Sequence, residues 1–195
     1  MKLYEVELYG RRIRYFDAYD SNHLATFSQS HRDKRVCVVV GPTGIGKTTF
    51  FDFACASLFS SEARNITAFG RRYGHEDVSS SVARALKIAE SLRPGELLSI
   101  AFYPKPAEVA PLTGTDIWPE TLDAVEHVLN VLTERGLLSR LAGLELSVEP
   151  EFVDIYTDIR RLATERDWCL LEFGAWDKKM KLAYAKAFVG VDNPV

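Results

Sequence analysis

Residues 36–49 read Val36-Cys37-Val38-Val39-Val40-Gly41-Pro42-Thr43-Gly44-Ile45-Gly46-Lys47-Thr48-Thr49. An apolar, β-branched run of strand length enters a glycine-rich turn. The turn ends in Lys-Thr-Thr, and Phe51, Ala54, Cys55, Leu58 and Phe59 then recur at helical spacing, which predicts a helix over 47–60. The stretch fits the pattern G-x-x-x-x-G-K-[ST] in the strand-to-helix setting that gives the pattern its meaning, a loop that holds phosphate. Few features constrain a fold more, because a parallel sheet must carry such a loop at the carboxyl ends of its strands.

Each residue type has a chemical reason. Gly41, Gly44 and Gly46 are expected to take backbone conformations barred to a residue with a Cβ, so that successive N–H groups turn inward around an anion. Lys47 adds a cation for the outer phosphates, and the Thr48 hydroxyl is a ligand for Mg²⁺. The helix starting there aims its free N–H groups and positive dipole end at the same place. The expected nucleotide-binding set is therefore Gly41, Pro42, Thr43, Gly44, Ile45, Gly46, Lys47, Thr48 and Thr49, with Lys47 also catalytic and Thr48 also a metal ligand.

At 195 residues, 47% of them apolar and 26% charged, the chain has the balance of one globular domain. A net charge of −3 gives no general nucleic-acid footprint. Arg11, Arg12 and Arg14 form a compact basic group, read either as a solvated strand edge or as a phosphate or nucleic-acid contact. No apolar run reaches membrane-span length, and Met1-Lys2-Leu3-Tyr4-Glu5 is too polar for a signal peptide. Cys37, Cys55 and Cys169 sit in apolar surroundings without metal-ligand spacing, as buried thiols of a reducing cytoplasm would.

Alternation predicts two antiparallel strands within residues 1–18, and the polar stretch 17–35 reads as a loop with at most a turn of helix. Beyond the loop motif, strand-like runs at 66–69, 97–103, 144–148 and 168–173 alternate with amphipathic helices starting near Asp77, Pro119, Pro150 and Asp177. This predicts an α/β fold with a mostly parallel sheet, helices on both faces and antiparallel strands at the N-terminus. Residues 144–148 alternate as a half-buried strand would. The charged segment 70–77 reads as a loop near the nucleotide, with Arg71 and Arg72 as candidates for the terminal phosphate.

Hydrolysis requires a carboxylate at the end of an apolar strand to organise the metal. Downstream of Thr48, no run of four apolar residues is followed by Asp; Glu172, after Trp168-Cys169-Leu170-Leu171, is the nearest candidate for a catalytic carboxylate. Asp52 lies inside the predicted helix, where a structural or surface role is expected.

The run Gly41 to Phe59 resembles the P-loop and first helix of the SbcC family, the SMC-like ABC ATPases that partner DNA nucleases, and Met1 to Leu8 resembles the opening strand of such proteins. The resemblance covers about 60 residues of P-loop NTPase sequence. It implies that the loop binds ATP, with Arg11, Arg12 and Arg14 near the nucleotide or a DNA-facing side. The sequence then departs from the family: the sole glutamine is Gln29, upstream of the loop, and no Leu-Ser-Gly-Gly signature follows. Similar runs occur in AAA+ unfoldases and secretion ATPases. Three functions fit: an ATPase with weak hydrolysis completed by a partner or a second copy, possessing a link to DNA metabolism; a small-molecule phosphotransferase; and a nucleotide-dependent interaction module.

Overall fold

The computed structural model describes residues 3–8, 11–16, 21–58, 63–70, 78–106, 108 and 116–173. Asp77, Arg71, Arg72, most of the proline-containing segment before residue 116 and the helix expected from Asp177 lie outside the described residues.

Strands β1 (Leu3–Leu8) and β2 (Arg11–Phe16) pair antiparallel, with Leu3 opposite Phe16 and Leu8 opposite Arg11. The polar stretch that follows is a helix rather than a loop: α1 spans Ser21–Arg32. A short polar helix is marginal by itself, and tertiary burial supports this one. Phe27 is fully buried, with ring centroids 5.9 Å from both Phe50 and Phe51, a contact worth about 2–3 kcal/mol of apolar transfer. Leu24 packs beside it one turn earlier.

The remaining elements are β3 (Cys37–Gly41), α2 (Lys47–Leu58), β4 (Arg64–Phe69), α3 (Val78–Ser91), β5 (Glu96–Phe102), the short strands β6 (Pro104–Lys105) and β7 (Asp116–Ile117), α4 (Trp118–Glu134), β8 (Leu141–Ser147), α5 (Val153–Glu165) and β9 (Cys169–Glu172). Five strands form one parallel sheet in the order β4-β5-β8-β3-β9. Helices cover both faces, as expected. Val38, Val40, Leu98, Ile100, Leu144 and Leu146 bury one face beneath α3, α4 and α5, which contribute Val82, Leu86, Val128, Leu132, Ile155 and Ile159. Val39, Ala142, Leu171 and Phe173 bury the other beneath α1 and α2, which contribute Phe27, Phe50, Phe51 and Ala54.

Two features of β8 set up the site. Every residue of the strand is buried, so it is a central strand and not the half-buried one that its alternation suggests. Its pairing with β5 also shifts by one residue, Leu98 facing Leu141 while Ser99 faces Gly143. Ala142 is the extra residue, and a bulge of this kind reverses which face later side chains take. Leu141 lies in the layer under α3, α4 and α5, and so do Leu144 and Leu146, which strict alternation from Leu141 would send apart. Gly143 and Glu145 are thereby turned toward α2.

Candidate functional site

The loop between β3 and α2 joins a fully buried strand of the sheet to a helix buried on several faces. Gly44 (φ +78°) and Gly46 (φ +96°) adopt the left-handed backbone that favours glycine. Gly41 serves a different purpose from the one expected: a Cβ there would lie 2.7 Å from the Phe173 carbonyl oxygen, so glycine permits the residue that follows β9 to approach. Ile45, 4% exposed, plugs the loop into the aromatic layer. The Ile45 N–H donates to Pro42 O at 3.3 Å and the Phe50 N–H to Gly46 O at 2.9 Å, closing the turn and starting the helix. Thr43, Gly44 and Thr48 remain exposed at its mouth.

Lys47 is 5% exposed, and its Nζ donates to Gly41 O at 2.9 Å and Pro42 O at 2.8 Å. Burial lowers its pKa to about 8, against the raising influence of Glu145 and Glu149. The ammonium is thus held inside the loop by backbone carbonyls and flanked by two carboxylates.

The carboxylate beside Thr48 is Glu145. The Thr48 hydroxyl donates to Glu145 Oε2 at 2.6 Å, and the Ser99 hydroxyl of β5 donates to Oε1 at 2.7 Å. Asn65 Nδ2 of β4 donates to Ser99 Oγ at 2.8 Å and to Thr67 Oγ1 at 3.2 Å, so the network crosses three strands under α2. Glu145 is 2% exposed, and burial raises its pKa while hydrogen bonds from Thr48 and Ser99 and the charge of Lys47 oppose the rise. A carboxylate this deep would be costly without those donors.

Gly143 makes the contact possible. A Cβ on it would meet Cys37 O at 2.5 Å and Phe51 Cζ at 2.6 Å, so the absent side chain lets α2 settle onto β8 and brings Thr48 to Glu145. One further carboxylate reaches the loop: the Thr43 N–H donates to Glu149 Oε1 at 3.2 Å from the turn after β8.

Glu172 goes elsewhere. It pairs in register with Val40, level with the end of the loop strand, but its neighbours Leu171 and Phe173 fill the α2 side while its own carboxylate binds Arg160 of α5 through two hydrogen bonds of 2.5 and 2.7 Å. The structure does not bring it to Thr48. The signal for Glu145 was present in the sequence as Leu141-Ala142-Gly143-Leu144-Glu145, an apolar run interrupted by a glycine and ending in a carboxylate, which a search for four unbroken apolar residues before Asp passes over. Among the described residues no group of three or more His, Cys, Asp and Glu side chains is arranged to hold a metal, so a cation at Thr48 would draw its remaining ligands from phosphate and water.

A parallel sheet flanked by helices, with a left-handed glycine loop between its buried strand and a following helix, defines an α/β fold of P-loop NTPase type. No family model matches the chain, and no curated protein matches it. Among solved structures it is similar to the ORC2 protein of Aeropyrum pernix in ADPNP–ADP complexes, at 11% sequence identity and a TM-score of 0.47, over 88% of this chain and 55% of that one. The chain therefore spans about half the length of that structure. The assignment to the P-loop class comes from the strand order and loop geometry. No helix among the described residues is long and apolar enough to cross a membrane.

Proposed function

We propose that the chain binds a nucleoside triphosphate, ATP with Mg²⁺, and hydrolyses it slowly by itself. The observation that carries this reading is the 2.6 Å contact between Thr48 and a buried Glu145 at the mouth of the loop. A carboxylate so expensive to bury has no structural necessity at the centre of an apolar sheet, whereas a hydroxyl polarised by it is suited to a hard cation. In this reading the N–H groups of residues 41–49 and Lys47 hold the phosphates, Thr48 ligates the metal and Glu145 orients Thr48. The bound metal would neutralise charge on the transferring phosphoryl group.

Both Glu145 oxygens already accept hydrogen bonds. Glu145 is therefore an orienting group and not a base for water, which favours weak turnover and completion of the site by a protein partner or a second copy of the chain. The same observation favours, as a second reading, a module that uses nucleotide to control an interaction. A role in DNA metabolism rests on the likeness of residues 1–60 to the SbcC family, and hydrolysis stimulated by DNA would support it.

The test compares ATP binding with magnesium and with chelator in the native chain, Thr48→Ala and Glu145→Gln. Magnesium should tighten binding to the native chain at least about tenfold and should do little for either variant. Equal magnesium dependence in all three would refute the assignment.

A further inference from the structure

Among the described residues, Glu149 is an acidic side chain bonded to the backbone of the loop. Its Oε1 accepts the Thr43 N–H at 3.2 Å, and its charge acts on Lys47 together with that of Glu145. The turn that presents it is well fixed. The Val148 N–H donates to Gly41 O at 3.0 Å, the Phe152 N–H donates to Glu149 O at 3.0 Å, and the Tyr156 hydroxyl donates to Val148 O at 2.8 Å. Lys105 lies over the Phe152 ring, 5.0 Å from its centroid. The carboxylate is therefore anchored against a donor that an incoming phosphate would also use.

Resting on the phosphate-binding reading above, we propose that Glu149 sets the affinity and selectivity of the loop: an incoming polyphosphate must displace its carboxylate from the Thr43 amide, and only a metal-complexed polyphosphate does so readily. The charges give the reason. Among the described residues, Lys47 stands against Glu145 and Glu149, and the charge of Asp52 also acts on Glu145, so these groups together are negative before any ligand arrives. A free polyphosphate meets that charge at close range, well within the distance over which salt screens it. A divalent cation beside Thr48 reverses the balance by neutralising the phosphate tail and Glu145 together. Glu149, once released, stands at the outer end of the loop, so occupancy is transmitted to the turn that starts α5.

The experiment uses inorganic tripolyphosphate, which excludes any contribution from a base or sugar, titrated calorimetrically into the full chain with magnesium and with EDTA. Removing one charged competitor should tighten metal-free tripolyphosphate about tenfold in Glu149→Gln and at least as much in Glu149→Ala, with a smaller gain for the magnesium complex. Glu151→Gln removes the same charge two residues away on an exposed side chain, and should change affinity by less than about twofold. Amide exchange gives a readout without ligand: the Thr43 N–H should exchange faster in Glu149→Ala than in the native chain.

If the native chain binds and the Glu149 variants bind no tighter, or if Glu151→Gln matches them, the gating role is refuted while the phosphate site stands. Unchanged affinity with lost ATP turnover would make Glu149 catalytic, and would also refute gating. If no variant binds tripolyphosphate or Mg-ATP at all, the P-loop reading itself fails.

Discussion

Gly143→Ala tests the link between packing and site directly. The added methyl would stand 2.5 Å from Cys37 O, 2.6 Å from Phe51 Cζ and 2.8 Å from Phe51 Cε1. Neither neighbour can yield freely: the carbonyl belongs to the central strand pair β3–β8, and Phe51 is fully buried among Phe27, Phe50 and Ala54. Overpacking of a dense core costs about 1–3 kcal/mol, and contact with backbone puts this case near 3 kcal/mol. For a chain of this size that lowers Tm by about 6–12 °C. Gly136 is the control, since its φ is +68° and a Cβ there meets nothing within 4 Å; Gly136→Ala should cost only the left-handed backbone, roughly 1–2 kcal/mol. Thermal denaturation of both variants, followed by circular dichroism, decides the matter. The easiest relief is for α2 to lift from β8, which draws Thr48 away from Glu145, so Gly143→Ala should also lose magnesium-dependent ATP binding. If Gly143→Ala is as stable as Gly136→Ala and keeps that binding, the account of how α2 and β8 build the site is wrong.

Other substitutions separate function from stability. Glu145→Gln should leave the fold as stable as the native chain or raise its stability by about 1–2 kcal/mol, because it removes a buried charge and keeps hydrogen-bonding capacity toward Thr48 and Ser99. The sign with pH follows from the raised pKa of Glu145: a carboxyl that titrates higher when folded stabilises the native chain at low pH and loses that contribution as pH rises through its folded value. The advantage of Glu145→Gln in denaturant melts should therefore grow with pH, and a shrinking advantage would contradict the burial argument. Glu172→Gln should cost under about 1 kcal/mol, as an exposed pair with Arg160 does, and should leave ATP hydrolysis unchanged; lost turnover would return Glu172 to the site. Among the thiols, the hydrogen bond from Cys37 and the nearby Arg35 charge lower Cys169 to about 7, whereas burial raises Cys55 to about 12. Peptide mapping after iodoacetamide at pH 8 should find Cys169 modified first and Cys55 untouched, and the reverse order would show the thiol environments to be misassigned.

The loop, its strand and its helix were legible because their chemistry is local: glycines, a lysine and hydroxyls at fixed spacing, between an apolar run and a helical repeat. The alternation of strands and helices gave the fold class for the same reason. Non-local contacts were harder to read. Helix α1 offers few apolar residues, and what secures it is the meeting of Phe27 with Phe50 and Phe51 from another element. Strand β8 shows alternation, but alternation tells nothing about what covers the second face; with that face taken as solvent, Glu145 looks like an ordinary surface residue. The bulge at Ala142 that turns Glu145 toward α2 is a property of pairing with β5 and leaves no mark within the strand's own sequence. Glu172 pairs level with the end of the loop strand, but its carboxylate meets Arg160 from α5, a contact between elements that its own stretch of sequence does not signal. The contact of Glu149 with Thr43 spans 106 residues and has no local signature.

The central claim is that the loop at residues 41–49 holds a triphosphate through Lys47. Calorimetric titration of Mg-ATP into the native chain and into Lys47→Ala tests it most directly. The account predicts saturable binding of one nucleotide per chain in the native protein and a loss of at least about a hundredfold in affinity in the variant, since the lysine makes charge-assisted bonds to phosphate, with the melting curve of the ligand-free protein retained. Native and variant chains that bind Mg-ATP equally, or a native chain that does not bind it, would contradict the account.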